Sequence, residues 1–181
     1  MKRLICVISI IVLFGTTLFA QTAFADKPAI LTSIGQSADM EMIRVLLTRA
    51  GIPFKGDAVI QANELGSGDK TLILVIGGSS KGLGAAGISV EDEMKRTQAL
   101  VSQAQTLSMK IIAVHVGGEA RRGSLSDGFI KYAVPLADYV IVVSDGDKDG
   151  LISGLARDAK IPINKVDRIS SVGAPLAASF R

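Results

Sequence analysis

Four short, nearly unbroken apolar runs, at residues 29–32, 71–76, 110–116 and 139–143, each break into a loop rich in glycine, serine or charge. The sharpest is Thr71-Leu-Ile-Leu-Val-Ile76, which gives way to Gly77-Gly-Ser-Ser-Lys-Gly-Leu-Gly-Ala-Ala-Gly87. Between the runs lie longer segments whose apolar residues recur at helical spacing. This alternation constrains the fold more than any other property of the chain. A run that is apolar at successive positions must be covered on both faces. Strands separated by helices pair in parallel, through right-handed crossovers. The expected architecture is a three-layer α/β sandwich, with a doubly wound, mostly parallel sheet of five or six strands. The flavodoxin-like strand order is expected, with the Rossmann-like order as the alternative.

The intervening segments fit that plan. Met40, Ile43, Leu47 and Ala50 repeat over residues 38–50, and Gly51 supplies a stop. Ser89 with Asp92 makes a capping-box start for a helix over residues 89–108, with Val90, Met94, Val101 and Ala104 on its buried face. Ser124 with Asp127 starts another helix, and residues 151–160 and 170–180 read as two more. Pro53 makes residues 53–60 a weak edge strand, and residues 161–166 read as a last strand.

The first 25 residues stand apart. Lys2 and Arg3 precede an apolar run over residues 4–14, and small and polar residues lead to Ala23-Phe24-Ala25. A positive start, an apolar middle and an A-x-A site make a secretory signal peptide, with cleavage expected before Asp26. The apolar run is too short for a transmembrane helix, so no retained membrane anchor is expected. The protein would then be extracytoplasmic, periplasmic or secreted, with one α/β domain over residues 26–181. Cleavage removes two basic residues and no acidic one, leaving 18 against 17 and a formal charge of +1. The whole-chain pI of 9.1 therefore overstates the basicity. Neither nucleic acid nor an anionic membrane is an expected partner. The one cysteine, Cys6, leaves with the peptide, so no disulfide is expected. The aromatic residues that remain, Phe54, Phe129, Tyr132, Tyr139 and Phe180, are too few for a stacking platform.

In a doubly wound sheet, ligands bind outside the carboxyl ends of the strands, where the strand order reverses. Four loops should gather there, at residues 33–37, 77–87, 117–123 and 144–150. Gly77 and Gly78 let backbone N–H groups turn toward an anion, and Ser79, Ser80 and Lys81 add hydroxyls and a positive charge. Ser33, Gln36 and Ser37 offer hydrogen bonds at the start of the first helix, where Ser37 also suits an N-cap. Gly117 and Gly118 allow close approach, beside Glu119. Arg121 and Arg122 suit two-pronged binding of a carboxylate or phosphate. Together these residues point to a small anionic solute. Asp145, Asp147 and Asp149, followed by Gly150, spell the first half of a calcium loop. Ala156 stands where the closing acid belongs, so a calcium site here would be weak. No other cofactor is expected.

The glycine segment also matches three motifs. Gly82-Leu-Gly84-Ala-Ala-Gly87 spells G-x-G-x-x-G, but five residues separate it from the strand end. The P-loop pattern fails at Leu83, where lysine is required. Gly78-Ser-Ser80-Lys-Gly82 spells the nucleophile elbow, which needs a helix at once, whereas the next helix is expected at Ser89. Ser80 with His115, the only histidine, and with Asp145 or Glu119 as its orienting acid, makes a hydrolase the alternative function.

Over nearly all of residues 26–181 the chain resembles a family of small secreted bacterial α/β proteins catalogued only as a domain of unknown function. The residues that carry the resemblance are Leu31-Thr-Ser-Ile-Gly-Gln-Ser-Ala-Asp39, the 77–87 segment, and His115-Val-Gly-Gly-Glu-Ala-Arg-Arg-Gly123. The resemblance implies an extracytoplasmic protein with the α/β fold argued above. It brings no activity, ligand or catalytic residue with it. Binding of a small anionic solute, in the service of a membrane transporter or envelope protein, ranks ahead of catalysis. A protein-interaction module of an envelope complex is the remaining reading.

Overall fold

The computed structural model describes residues 23–181, so the expected signal peptide lies outside the described residues except for its last three. Six strands form one sheet: β1 (Ala29–Ile34), β2 (Phe54–Gly56), β3 (Thr71–Ile76), β4 (Lys110–His115), β5 (Tyr139–Val143) and β6 (Ile163–Val166). Their order is β2-β1-β3-β4-β5-β6 and every pairing is parallel. This is the flavodoxin-like order extended by β6, not the Rossmann-like one. The helices are α1 (Asp39–Arg49), α2 (Ser80–Ala86), α3 (Val90–Thr106), α4 (Ser124–Ala133), α5 (Leu151–Asp158) and α6 (Gly173–Ala178).

Alternation along each strand sorts its side chains between two layers. Leu72, Leu74 and Ile76 of β3 pack with Leu100, Val101, Phe129, Ile130 and Ile152 from α3, α4 and α5. Ile73 and Val75 face Met40, Ile43 and Leu47 of α1 and Leu176 of α6. All six residues of β1 and all six of β3 are buried. Each fully buried leucine or isoleucine contributes about 1.5–3 kcal/mol. Coverage on both faces is why these strands read as unbroken apolar runs.

Three local expectations need correction. The glycine segment is not a loop as far as Ser89, because it contains α2. Ser79 caps that helix by accepting from the Gly82 N–H at 3.0 Å, Leu83 anchors it, and Gly87, with φ +66°, ends it. Gly82 and Gly84 thus lie inside a helix rather than in a phosphate-binding turn. On α3, Val90 is 48% exposed, while Glu93, Arg96 and Thr97 lie buried beside Leu100, Val101 and Ala104. The first turns of α3 meet backbone polar groups of the sheet edge, which an apolar face could not satisfy. Ala50 is exposed at the end of α1, just before Gly51 at φ +64°.

Phe24 and Ala25 run beside the C-terminus. The Ser179 carbonyl accepts from both their N–H groups, at 2.9 and 2.8 Å, and the Arg181 N–H donates to Ala25 at 2.9 Å. The Phe24 ring meets Tyr139 edge-on, with centroids 5.8 Å apart. Among the described residues, no helix is long and apolar enough to cross a membrane.

Candidate functional site

The loops that follow β1 and β3 lock together at the carboxyl edge of the sheet. The Gly77 N–H donates to Ile34, the Ser79 N–H to Gly35, and the Gly78 N–H to the Ser126 hydroxyl, at 2.8–3.0 Å. Gly35 has φ +89°, and a Cβ there would fall 2.7 Å from the Gly77 carbonyl oxygen. A Cβ on Gly82 would strike the Gln36 carbonyl. Glycine is needed at these positions so that backbone can lie against backbone. The expectation that the N–H groups of Gly77 and Gly78 face a ligand is therefore wrong. Both are spent inside the protein.

A buried ion pair holds this edge from behind. Glu93 is fully buried and Arg96 is 6% exposed. Arg96 Nε donates to Glu93 at 2.7 Å and Nη2 at 2.8 Å. Glu93 also accepts from the Gly35 N–H at 2.9 Å and from Gln36 Nε2 at 3.0 Å. Arg96 reaches the carbonyls of Ser33 and Ile60, and Gln36 Nε2 also donates to Ala58. The pair thus ties the β1–α1 loop to residues 58–60. Ser33 is buried, with its hydroxyl donating to the Ser37 carbonyl at 3.4 Å, so it does not reach the surface.

In front of this support lies an open groove of about 440 Å³, bounded by α1, α2 and residue 58. Gln36, Ser37, Ser79 and Lys81 supply its polar groups, Glu41 stands on the rim, and Ala38, Met40, Ala58 and Ala85 give apolar wall. Ser37 Oγ accepts from the Asp39 N–H and Ser79 Oγ from the Gly82 N–H, which leaves both hydroxyl protons free to donate. Lys81 is exposed and, among the described residues, has no carboxylate partner, whereas Glu41 is paired with Arg44 at 2.9 Å. Ser80, one residue away, is exposed but does not line the groove.

The third and fourth loops form a separate charged cluster. Arg122 does not face a ligand. Its guanidinium is forked between Asp127 and Asp149, at 2.7 and 2.8 Å for the shortest contacts, and donates to the Gly146 carbonyl at 2.7 Å. That guanidinium holds Asp149 well below its ordinary value, at about 2, and lowers Asp127 as well. Arg121 lies 3.4 Å from Asp39, whose carboxylate occupies the space beside Gly77 and Gly117. Glu119 pairs with Lys148 at 2.7 Å, and Gly118, at φ +61°, faces Asp145. The three aspartates of the calcium-like motif diverge. Asp145 pairs with Lys148 and Asp149 with Arg122. Asp147 pairs with Lys165 and accepts from the N–H groups of Ile152 and Ser153 to cap α5. Among the described residues, no three His, Cys, Asp or Glu side chains are placed to hold a metal ion.

His115 is 1% exposed. Its Nδ1 lies 2.9 Å from the Ile76 carbonyl, which can only accept, so Nδ1 carries the proton. Nε2 is buried, has no hydrogen-bond partner among the described residues, and lies against Gly146, on the β5 side of the sheet. Burial holds the imidazole below its ordinary value, and the charge of Arg122 adds to this. The Ile76 carbonyl and Asp39 pull the other way. α2 leans toward Gln36, on the opposite side of β3. The structure therefore does not pair Ser80 with His115, although a helix does follow the elbow-like sequence.

Residues 26–180 match the family described as Domain of unknown function (DUF6305). The chain belongs to that family. No curated protein matches it. Among solved structures, it is similar to a truncated form of 3-deoxy-D-arabino-heptulosonate 7-phosphate synthase from Thermotoga maritima, at 10% identity and a TM-score of 0.36. The match covers 88% of this chain and 51% of that one, so the chain spans about half the length of that structure. Two features of this DUF6305 chain escape a reading of its sequence. Glu93 and Arg96 sit three apart on the stripe that continues through Leu100 and Ala104, a spacing that could have marked them as buried. Asp39 sits in the first turn of α1 and looks like an ordinary helix-start acid until the fold brings Gly117 and Arg121 over it.

Proposed function

We propose that this protein binds a small anionic solute in the groove between the β1 and β3 loops. The observation that carries the proposal is the position of Lys81, a cation with no ion pair among the described residues, on a groove at the switch point of the sheet. β1 and β3 are adjacent strands whose connections leave in opposite directions, and such crevices are where open α/β sheets take ligands. The groove volume lies within the range of small-molecule sites. Arg121 and Arg122 play no part in this reading, because both are engaged with carboxylates. The leader-like first 25 residues support a binding event outside the cytoplasm, where a transporter or envelope protein would receive the solute.

Thermal unfolding against a panel of small organic and inorganic anions tests the proposal. A ligand at 100 times its dissociation constant stabilises by about 2.7 kcal/mol, which raises Tm by roughly 5–10 °C for a domain of this size. The expected result is a rise with one class of anion that is lost in Lys81→Ala. No rise with any anion at saturating concentration would refute it.

A further inference from the structure

We infer that the occupant of the groove is a small monocarboxylate with an apolar body. This rests on the reading that the groove takes an anion, and narrows it by the charge and polarity of the walls.

The groove can neutralise one negative charge. Among the described residues, Lys81 is the one Lys or Arg that lines it. Arg44, next to the rim, is already committed to Glu41 at 2.9 Å. Phosphate-binding loops cradle their anions in a row of open N–H groups. Here the N–H groups of Gly77, Gly78, Ser79 and Gly82 are all spent on Ile34, Ser126, Gly35 and Ser79. The amide of Gln36 is likewise turned away, toward Ala58 and Glu93. Among the described residues, no second cation lines the groove to meet another negative charge on the ligand, and the carboxylate of Glu41 stands on its rim. Phosphate and dicarboxylates are therefore poor occupants.

What remains suits a single carboxylate. Lys81 supplies the charge, and the free hydroxyl protons of Ser37 and Ser79 can donate to its oxygens. Ala38, Met40, Ala58 and Ala85 give the groove its apolar wall. Apolar wall of this kind rewards an aliphatic or aromatic body and gives nothing to a second polar group.

Calorimetric titration of the purified protein with hexanoate, benzoate, hexanamide, succinate and inorganic phosphate tests the inference. Hexanoate or benzoate should bind at least tenfold more tightly than hexanamide, succinate or phosphate. Lys81→Met should erase the preference for hexanoate over hexanamide. Lys81 is exposed, and an unchanged Tm shows that the variant is folded. Tighter binding of succinate or phosphate than of either monocarboxylate, still dependent on Lys81, would overturn the inference and leave the anion site standing. Heat from none of the anions would overturn both.

Discussion

Replacing Glu93 by glutamine probes the interaction on which the groove is built. The change keeps the volume of the side chain, so no cavity opens. It removes the negative charge and turns one acceptor into a donor. In the native protein, Glu93 accepts from Arg96 Nε, Arg96 Nη2, the Gly35 N–H and Gln36 Nε2, at 2.7–3.0 Å. Every one of those groups is a donor. Whichever way the glutamine amide is turned, its NH₂ faces another donor, and Arg96 keeps a charge at 6% exposure with no carboxylate to balance it. Breaking a buried pair in this way costs about 3–5 kcal/mol. That is a large part of the roughly 5–15 kcal/mol by which a domain is stable. An apolar double replacement would not restore the loss, because Gly35, Gln36, Ser33 and Ile60 would lose their partners as well. Urea unfolding followed by circular dichroism should show the midpoint falling steeply, with amide exchange at Gly35 speeding up. A loss under about 1 kcal/mol, the value of an exposed pair, would refute the claim that this pair organises the site.

Other expectations follow from the same structure. Gly82→Ala should destabilise by about 1–3 kcal/mol, because the new methyl strikes the Gln36 carbonyl and overpacking outweighs the gain in helix propensity. Gly84→Ala on the same helix meets nothing within 4 Å and should stabilise by about 0.5–1 kcal/mol; thermal melts of the two variants should move in opposite directions. His115 is the only histidine, so its NMR titration is unambiguous, and it should titrate below the ordinary 6.5. Folding depresses its pKa, so the stability it contributes is complete above pH 6.5 and is lost as pH falls through the folded value; in His115→Gln that part of the pH dependence should vanish. Arg122→Lys cannot keep the fork to two carboxylates. Asp127 and Asp149 are both lowered by Arg122, Asp149 to about 2 from an ordinary 3.8. The contribution of each is present above pH 3.8 and is lost as pH falls through its lowered value, about 2 for Asp149, so the lysine variant should show its acid unfolding midpoint moved to higher pH.

The glycine segment shows where reading the sequence succeeds and where it stops. That Thr71–Ile76 would be a strand buried on both faces, and that a glycine-rich segment would follow it, could be read from residue type alone. What the glycines approach could not. They meet the β1–α1 loop, 42 positions earlier when Gly77 faces Gly35, and only the sheet order makes those two loops neighbours. Arg121 and Arg122 make the same point about charge. The sequence shows two guanidinium groups beside glycines. The fold brings Asp39 to one and Asp127 and Asp149 to the other, and so removes both from anion binding.

The strands, most of the helices and the parallel order follow from local pattern. A face that must be buried has to carry apolar residues at its own period, and that period is written along the chain. Whether a polar side chain is free or spent follows from a different cause. It depends on partners distant in sequence, such as Glu93 for Gly35 and Ser126 for Gly78, and on the desolvation that surrounds them. Lys81 left open, and Arg122 closed, are decisions of the tertiary structure, because a hydrogen bond or ion pair forms with whatever the fold sets within 3 Å.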